Sequence, residues 1–417
     1  MTHDRPRTTK RGLLTKLLLP SQVDPSVLPL MVARALRALA DGYMAVLLPA
    51  YLLSLGLSTL EVGVIATTTM LGSALATVAV GAWGHRFASV NLLRAAALVM
   101  AATGLGFAGF ASFWPMLVVA FLGTLNPSSG DVSVFLPLDH TRLAGAASGH
   151  ARTALFARYS VVGVLFAAVG ALAAALPDWL ASRAGVAPTS TLRAMFLLYG
   201  AIGLLIWWLY RRLAVAVHEP LRTAAPLGPS RRIVVRLAAL FSVDAFAGGL
   251  VVNSLMALWL LQRFGLSLAQ AGAYFFWAGL LSAASQLAAP FVARRIGLLN
   301  TMVFTHIPAN ICLVLAALAP NLPVALALLF VRSALSQMDV PTRTAYVMAV
   351  VTPAERAAAA SFTAVPRSLA SALSPTISGA LFAAGFVALP LVLCGVLKIA
   401  YDLVLWRGMR SGRLPDE

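Results

Sequence analysis

The stretch 55–93, LGLSTLEVGVIATTTMLGSALATVAVGAWGHRFASVNLL, decides how this chain is read. From Val62 to His85 it carries no Asp, Glu, Lys or Arg. At about 1.5 Å of rise per residue, such a run is long enough to cross the ~30 Å hydrocarbon core of a bilayer as a helix. A related stretch returns at 264–302, FGLSLAQAGAYFFWAGLLSAASQLAAPFVARRIGLLNTM, at a fixed offset of 209 residues. Ten of 39 positions match: Gly56/Gly265, Leu57/Leu266, Ser58/Ser267, Gly63/Gly272, Leu71/Leu280, Ser73/Ser282, Ala74/Ala283, Ala79/Ala288, Arg86/Arg295 and Asn91/Asn300. Leu and Ala agree easily between apolar helices. The repeated Gly-Leu-Ser, Arg and Asn carry the match, and they imply a duplicated membrane unit.

Working outward, twelve apolar runs follow one another: about 28–54, 59–82, 91–111, 114–139, 150–176, 192–210, 236–262, 268–292, 298–319, 322–349, 357–384 and 386–406. They are too long for strands and lack alternation, and an open sheet cannot span lipid. The 417 residues are 60% hydrophobic and 11% charged, far from the balance of a soluble domain. The expected fold class is therefore an all-α polytopic membrane protein, with twelve transmembrane helices in two six-helix repeats. A net charge of +17 could suggest nucleic acid, but 24 of the 31 Lys and Arg fall in the tails and in short segments between apolar runs. The polar partner implied is the bilayer surface, with no nucleic acid. Cys312 and Cys394, both in apolar runs, exclude a disulfide framework or a cysteine metal site.

Positive charge also orients the chain. With the N-terminus inside, the cytoplasmic segments hold 21 Lys or Arg and the outer loops only Arg183, Arg193 and Arg263. Both termini are expected in the cytoplasm. The organisation is a tail 1–27, a six-helix bundle 28–210, a Pro- and Arg-rich cytoplasmic linker 211–235, a second bundle 236–406 and a tail 407–417.

Twelve spans in a 6+6 repeat, the basic linker and Gly81-Ala-Trp-Gly-His-Arg-Phe87 together resemble the major facilitator superfamily over essentially the whole chain. The family's signature loop reads roughly Gly-x-x-x-Asp-Arg-x-Gly-Arg. Gly81 and Arg86 fit it, His85 stands where Asp is expected, and Ala88 where the second Gly is expected. The second copy, Arg294-Arg295-Ile296-Gly297, is partial. The strings Gly123–Asp131 and Met338–Arg343 look like a bacterial branch grouped with efflux permeases. The resemblance implies a monomeric secondary transporter of a small molecule in a bacterial inner membrane, working by alternating access, with H+ as coupling ion and no cofactor. Efflux is the expected direction, and uptake or facilitated diffusion of an anionic metabolite or vitamin is the alternative. A receptor would not need twelve spans with a repeated charged core. For an enzyme, no HExxH, GxSxG or P-loop pattern occurs, and Asp139, His140 and His150 match no helical ligand spacing.

Ionisable groups inside spans are expensive and mark function. They are Arg34, Arg37 and Asp41 in helix 1, Asp131 in helix 4, Arg158 in helix 5, Asp244 in helix 7, Arg332, Asp339 and Arg343 in helix 10, and Arg367 in helix 11. In the superfamily, helices 1, 4, 7 and 10 line the cavity and 5 and 11 flank it, so these ten are the cavity and coupling candidates. Six Arg against four Asp favour an anionic or zwitterionic solute. Matching depth in the two halves suggests the pairs Asp131–Arg158 and Asp339–Arg367. Asp41, deepest by count, is the expected proton carrier, with a static Arg37–Asp41 bridge as the alternative. Lys398 and Asp402, at i, i+4 in helix 12, are expected to pair with each other. His306 stands isolated, and Tyr210 is expected in the interfacial belt.

Overall fold

The computed structural model describes residues 18–20, 23–128, 133–147, 149–213, 227–352 and 355–409, and among them every regular element is helical. The spans are α1 (Leu28–Ser54), α2 (Thr59–Trp83), α3 (Ser89–Gly109), α4a (Phe113–Leu122) with α4b (Phe135–Gly145), α5 (Gly149–Leu172) and α6 (Pro188–Tyr210). After the linker come α7a (Arg231–Gly249) with α7b (Asn253–Phe264), α8 (Leu268–Ile296) and α9 (Leu298–Ala317). The last three are α10a (Leu322–Ser336) with α10b (Asp339–Val350), α11a (Arg356–Leu373) with α11b (Pro375–Ala383), and α12 (Leu389–Met409). Among the described residues, ten helical segments are long and apolar enough to cross a bilayer. The two remaining positions belong to α4, interrupted between Leu122 and Phe135, and to α11, and both are consistent with a twelve-span chain.

The repeated Gly-Leu-Ser has a backbone cause. Gly56 and Gly265 adopt φ +85° and +65°, a left-handed turn that closes one span at little cost only for glycine. Two residues on, Ser58 and Ser267 cap the next span, each in a reciprocal capping box with Glu61 or Gln270. One sequence device thus builds the same helical hairpin twice.

Within each half, helices approach through glycine. Gly104 of α3 lies against Gly200 of α6, Gly170 of α5 against the Leu39 carbonyl of α1, and Gly249 of α7a against the Ser371 carbonyl of α11a. Close backbone approach of this kind drives association where lipid offers no hydrophobic gain. The break at 250–252, which no proline announces, is repaired from α11: the Ser374 hydroxyl donates to the Phe246 carbonyl and the Ser378 hydroxyl to the Leu250 carbonyl, both at 2.7 Å.

Between halves, α2 packs on α11, α5 on α8, and α1 on α7b. These seams lie toward the end of the bundle away from the chain termini. There Gly63 meets Gly379, and the Thr67 hydroxyl accepts from the Thr376 N–H at 2.9 Å. The Thr376 hydroxyl also donates to the Thr67 hydroxyl at 2.8 Å, and further hydrogen bonds between the halves join the breaks of α4 and α7: Ser254 N–H to the Pro127 carbonyl at 3.1 Å and Asn253 Nδ2 to the Ser128 carbonyl at 3.4 Å.

At the terminal end, Glu355 clasps the start of α7a. Its carboxylate accepts from the Gly228 N–H, from the Ser230 N–H at 3.4 Å and from the Thr352 hydroxyl at 2.7 Å. Hydrogen bonding by the Ser230 side chain, then by the Thr352 hydroxyl and the Gly228 N–H, holds the carboxyl down at about 2 against an ordinary 4.5. A lowered folded-state value means the clasp stabilises above pH 4.5 and loses that contribution as pH falls through about 2. Glu355→Gln should therefore lower the Tm of purified protein at neutral pH, with the gap to wild type closing between pH 4.5 and 2. A gap independent of pH in that window would show that the charge is not what the clasp uses.

Candidate functional site

The breaks in α4, α7 and α10 place irregular backbone at the centre of the bundle, around one cavity with two lobes. The larger lobe, about 310 Å³, lies between the halves and is lined by Arg34, Gly42 and Gly163 on one side and by Tyr274, Gln286, Arg332 and Gln337 on the other. The smaller, about 210 Å³, lies in the second half and is lined by Asp244, His306, Arg332, Asp339, Arg343, Arg367 and Lys398. Ser128, Asn253, Arg332, Ser336 and Gln337 border both.

No acid forms an ion pair with Arg34 among the described residues. Its guanidinium lies 5.2 Å from the Tyr159 ring centre and fills the space over Gly163, where a Cβ would come within 2.2 Å of it. The Nε atoms of Arg34 and Arg332 are buried with no partner among the described residues. Gln286 donates to Gln337 at 3.2 Å, so the neutral amides pair across α8 and α10.

Arg37 turns the other way, out of the cavity. It pairs with Asp139 of α4b, also donates to the Tyr210 hydroxyl, and lies over the Phe135 ring at 4.3 Å. The Tyr159 hydroxyl donates to the same carboxylate at 2.6 Å. Arg37 and Asp139 are 4% and 0% exposed, so this is a fully interior ion pair joining α1, α4, α5 and α6. The static Arg37–Asp41 bridge is thus corrected, because a buried partner on another helix with two phenols around it offers more than a neighbour one turn away. Asp139 was missed as the partner of Arg37, and Tyr210, expected at the interface, is wholly buried.

The second half holds a larger network. Asp244 accepts from Lys398 at 2.5 Å and from Arg343 at 3.2 Å. Arg343 also bonds Asp339, one turn back on α10b, at 2.6 Å. Asp339 therefore takes Arg343 as partner and not Arg367. Lys398 and Asp402 do not pair with each other either: Lys398 reaches Asp244, and Asp402 holds His306 Nδ1 at 2.9 Å. His306, expected to be isolated, links α9 to α12.

The remaining candidates scatter. Asp41 is half-buried on α1, lines neither lobe, and no hydrogen bond or ion pair reaches its carboxylate among the described residues. Arg158 on α5 lines neither lobe, whereas Arg367 lines the smaller one. Asp131 lies outside the described residues. Gly81, Arg86, Arg294, Arg295 and Gly297 sit together in pattern but away from the cavity, at the α2–α3 and α8–α9 turns. Gly297 turns the chain at φ +84°, and Arg295 stacks on Phe291 at 4.7 Å.

Residues 30–375 match the family model described as Major Facilitator Superfamily. The uncharacterized membrane protein YJR124C of Saccharomyces cerevisiae is 24% identical over 410 residues, covering 89% of this chain and 91% of the yeast protein. A bacterial homolog of the human lysosomal transporter Spinster, in an inward-facing occupied conformation, superposes with a TM-score of 0.74 at 15% identity, over 94% of this chain and 98% of that one. The xylose transporter XylE from E. coli, inward open, gives 0.70 at 17% identity, over 93% and 98%. At such identities the likeness to solved structures is one of fold.

Proposed function

The chain belongs to the major facilitator superfamily, and we propose that this multi-pass membrane transporter carries a small organic anion by alternating access, coupled to protons. One observation carries the substrate class. The described residues that line the cavity present five cations, Arg34, Arg332, Arg343, Arg367 and Lys398, to two carboxylates, Asp244 and Asp339. A lipophilic cation would meet that wall at a loss, whereas a carboxylate or phosphate finds arginine donors suited to it. Proton coupling in this setting means co-transport, because an added proton makes the wall more positive for the anion. Uptake then replaces efflux as the direction that the cavity supports.

Further parts of the reading rest on charge and packing. The excess of Lys and Arg in alternate loops supports both termini on the cytoplasmic side of the membrane. With that orientation, the seams between α2 and α11 and between α5 and α8 close the outer side, and the cavity faces inward. The halves 28–210 and 236–406 would rock about it, with 211–235 as their tether. A single chain surrounds the cavity, which supports a monomer as the transporting unit.

The test is a thermal-stability screen of purified protein with succinate, citrate and benzoate, against tetraphenylphosphonium as the lipophilic cation. A bound anion at about a hundred times its Kd should raise stability by roughly 2.7 kcal/mol. The same anion should then show counterflow in proteoliposomes. Stabilisation and counterflow by the cation alone would overturn the reading.

A further inference from the structure

The smaller lobe contains one imidazole, and it is the group that the sequence made least of. His306 is 4% exposed, yet its ring forms part of the cavity wall. Its Nδ1 lies 2.9 and 3.1 Å from the two oxygens of Asp402, which is 1% exposed. An imidazole nitrogen and a carboxylate oxygen do not meet at that distance without a proton between them, so the contact holds one proton. Nε2 is left as the ring nitrogen that can take a second. The pair's net charge is then −1 with Nε2 bare and zero with Nε2 protonated.

The surroundings link that charge to the cavity. One turn before Asp402 on α12, Lys398 lines the lobe and bonds Asp244 of α7a at 2.5 Å, and Tyr401 is buried beside them. From α10, Arg343 joins Asp244 to Asp339, and Arg332 stands on the same wall. Arg367 of α11a completes that wall. On α8, which also packs on α9, the charges are Arg294 and Arg295, next to the α8–α9 turn and about 12 Å of helix below His306. Formal charges on Arg332, Arg343, Arg367 and Lys398 set against Asp244, Asp339 and Asp402 leave the lobe at +1, rising to +2 when Nε2 is protonated.

We infer that His306 and Asp402 form the proton-binding pair of the transport cycle, with Lys398–Asp244 as the ion bridge that passes its charge state to the anion in the cavity. In one cycle the imidazole takes a proton at Nε2 from the cavity water, the bond to Asp402 stays, and the anion meets a wall one charge more positive. When the cavity reopens on the other side, loss of the anion lowers the affinity for the proton, and both leave. By reciprocity, the proton tightens the anion as much as the anion tightens the proton. The inference rests on the anion-carrier reading and names its coupling site. Asp41, off the cavity wall, is the competitor.

Two measurements decide it. The first needs no substrate: the Tm of purified protein is followed from pH 5 to 8 for wild type, His306→Gln, Asp402→Asn and Asp41→Asn. A titration step present in wild type and in Asp41→Asn, and absent from both pair variants, is the expected result. A wild-type curve without a step, or a step unchanged in His306→Gln, overturns the inference. The second uses proteoliposomes loaded with whichever of succinate, citrate or benzoate wild type exchanges. His306→Gln should lose about tenfold or more in accumulation driven by an acid exterior, while exchange at equal pH falls far less. If exchange falls as much as accumulation, the role is structural and the inference fails. If Asp41→Asn alone loses the driven component, the coupling site is Asp41. Failure of all three anions to exchange sinks the anion reading, and the Tm curves still decide on the pair.

Discussion

Asp139→Ala should be among the most destabilising single substitutions in the chain. Removing the carboxylate strands the Arg37 guanidinium, 4% exposed, among Phe135, Tyr159 and Tyr210 with no countercharge. Breaking a buried pair from one side costs on the order of 3–5 kcal/mol, chiefly through desolvation of the partner left behind. The Tyr159 hydroxyl loses its acceptor at the same time, adding about 1–3 kcal/mol where no water replaces it. Arg37→Met combined with Asp139→Leu removes both charges and keeps most of the volume. That double variant should be more stable than either single one, as read by unfolding in mixed micelles of increasing denaturing detergent. Additive losses would mean that the two charges do not hold each other.

The same residues show how far the sequence could be read. The spans, the duplicated hairpin and the cationic bias of the centre are one-dimensional features: run length, a turn glycine followed by a capping serine, and which helices carry charge. Gly56 and Gly265 were legible because left-handed backbone and an N-cap each demand a particular residue type at a particular offset. Ion partners were not legible. An i, i+4 pair on a helix is worth only about 0.2–0.5 kcal/mol, so any buried countercharge on a neighbouring helix outbids it. Arg37 therefore leaves Asp41 for Asp139, and Lys398 leaves Asp402 for Asp244. Only Arg343 and Asp339 keep the local partner, and even Arg343 shares itself with Asp244. Counting depth along helices placed Asp139 near a span end, but the break between Leu122 and Phe135 makes depth along α4 a poor guide. His306 looked alone because its partner is 96 residues away. A second imperfect signal was available: an acid on helix 12, outside the family's cavity-lining set, has to be paid for by a partner somewhere.

Asp244→Asn should separate stability from affinity in opposite directions. In the empty carrier Asp244 acts as a resident anion, accepting from Lys398 at 2.5 Å and from Arg343 at 3.2 Å inside the lobe. An amide of the same shape keeps the space but leaves two cations short of one negative charge. The unliganded variant should lose on the order of 3–5 kcal/mol, as for any one-sided break of a buried pair. If the substrate is an organic anion, as proposed, it supplies the missing charge on entering the lobe and no longer competes with a carboxylate for the same donors. Its affinity should rise about tenfold, equivalent to 1.4 kcal/mol, and the stabilisation it gives should exceed that in wild type by the same amount. Tighter binding of this kind is made in the ground state, so turnover should fall: the anion leaves slowly when no carboxylate is there to take back Lys398 and Arg343. Binding isotherms and counterflow rates on the same preparation read both effects. Weaker anion binding in Asp244→Asn would show that the carboxylate orients the two cations for the substrate and does not stand in for it.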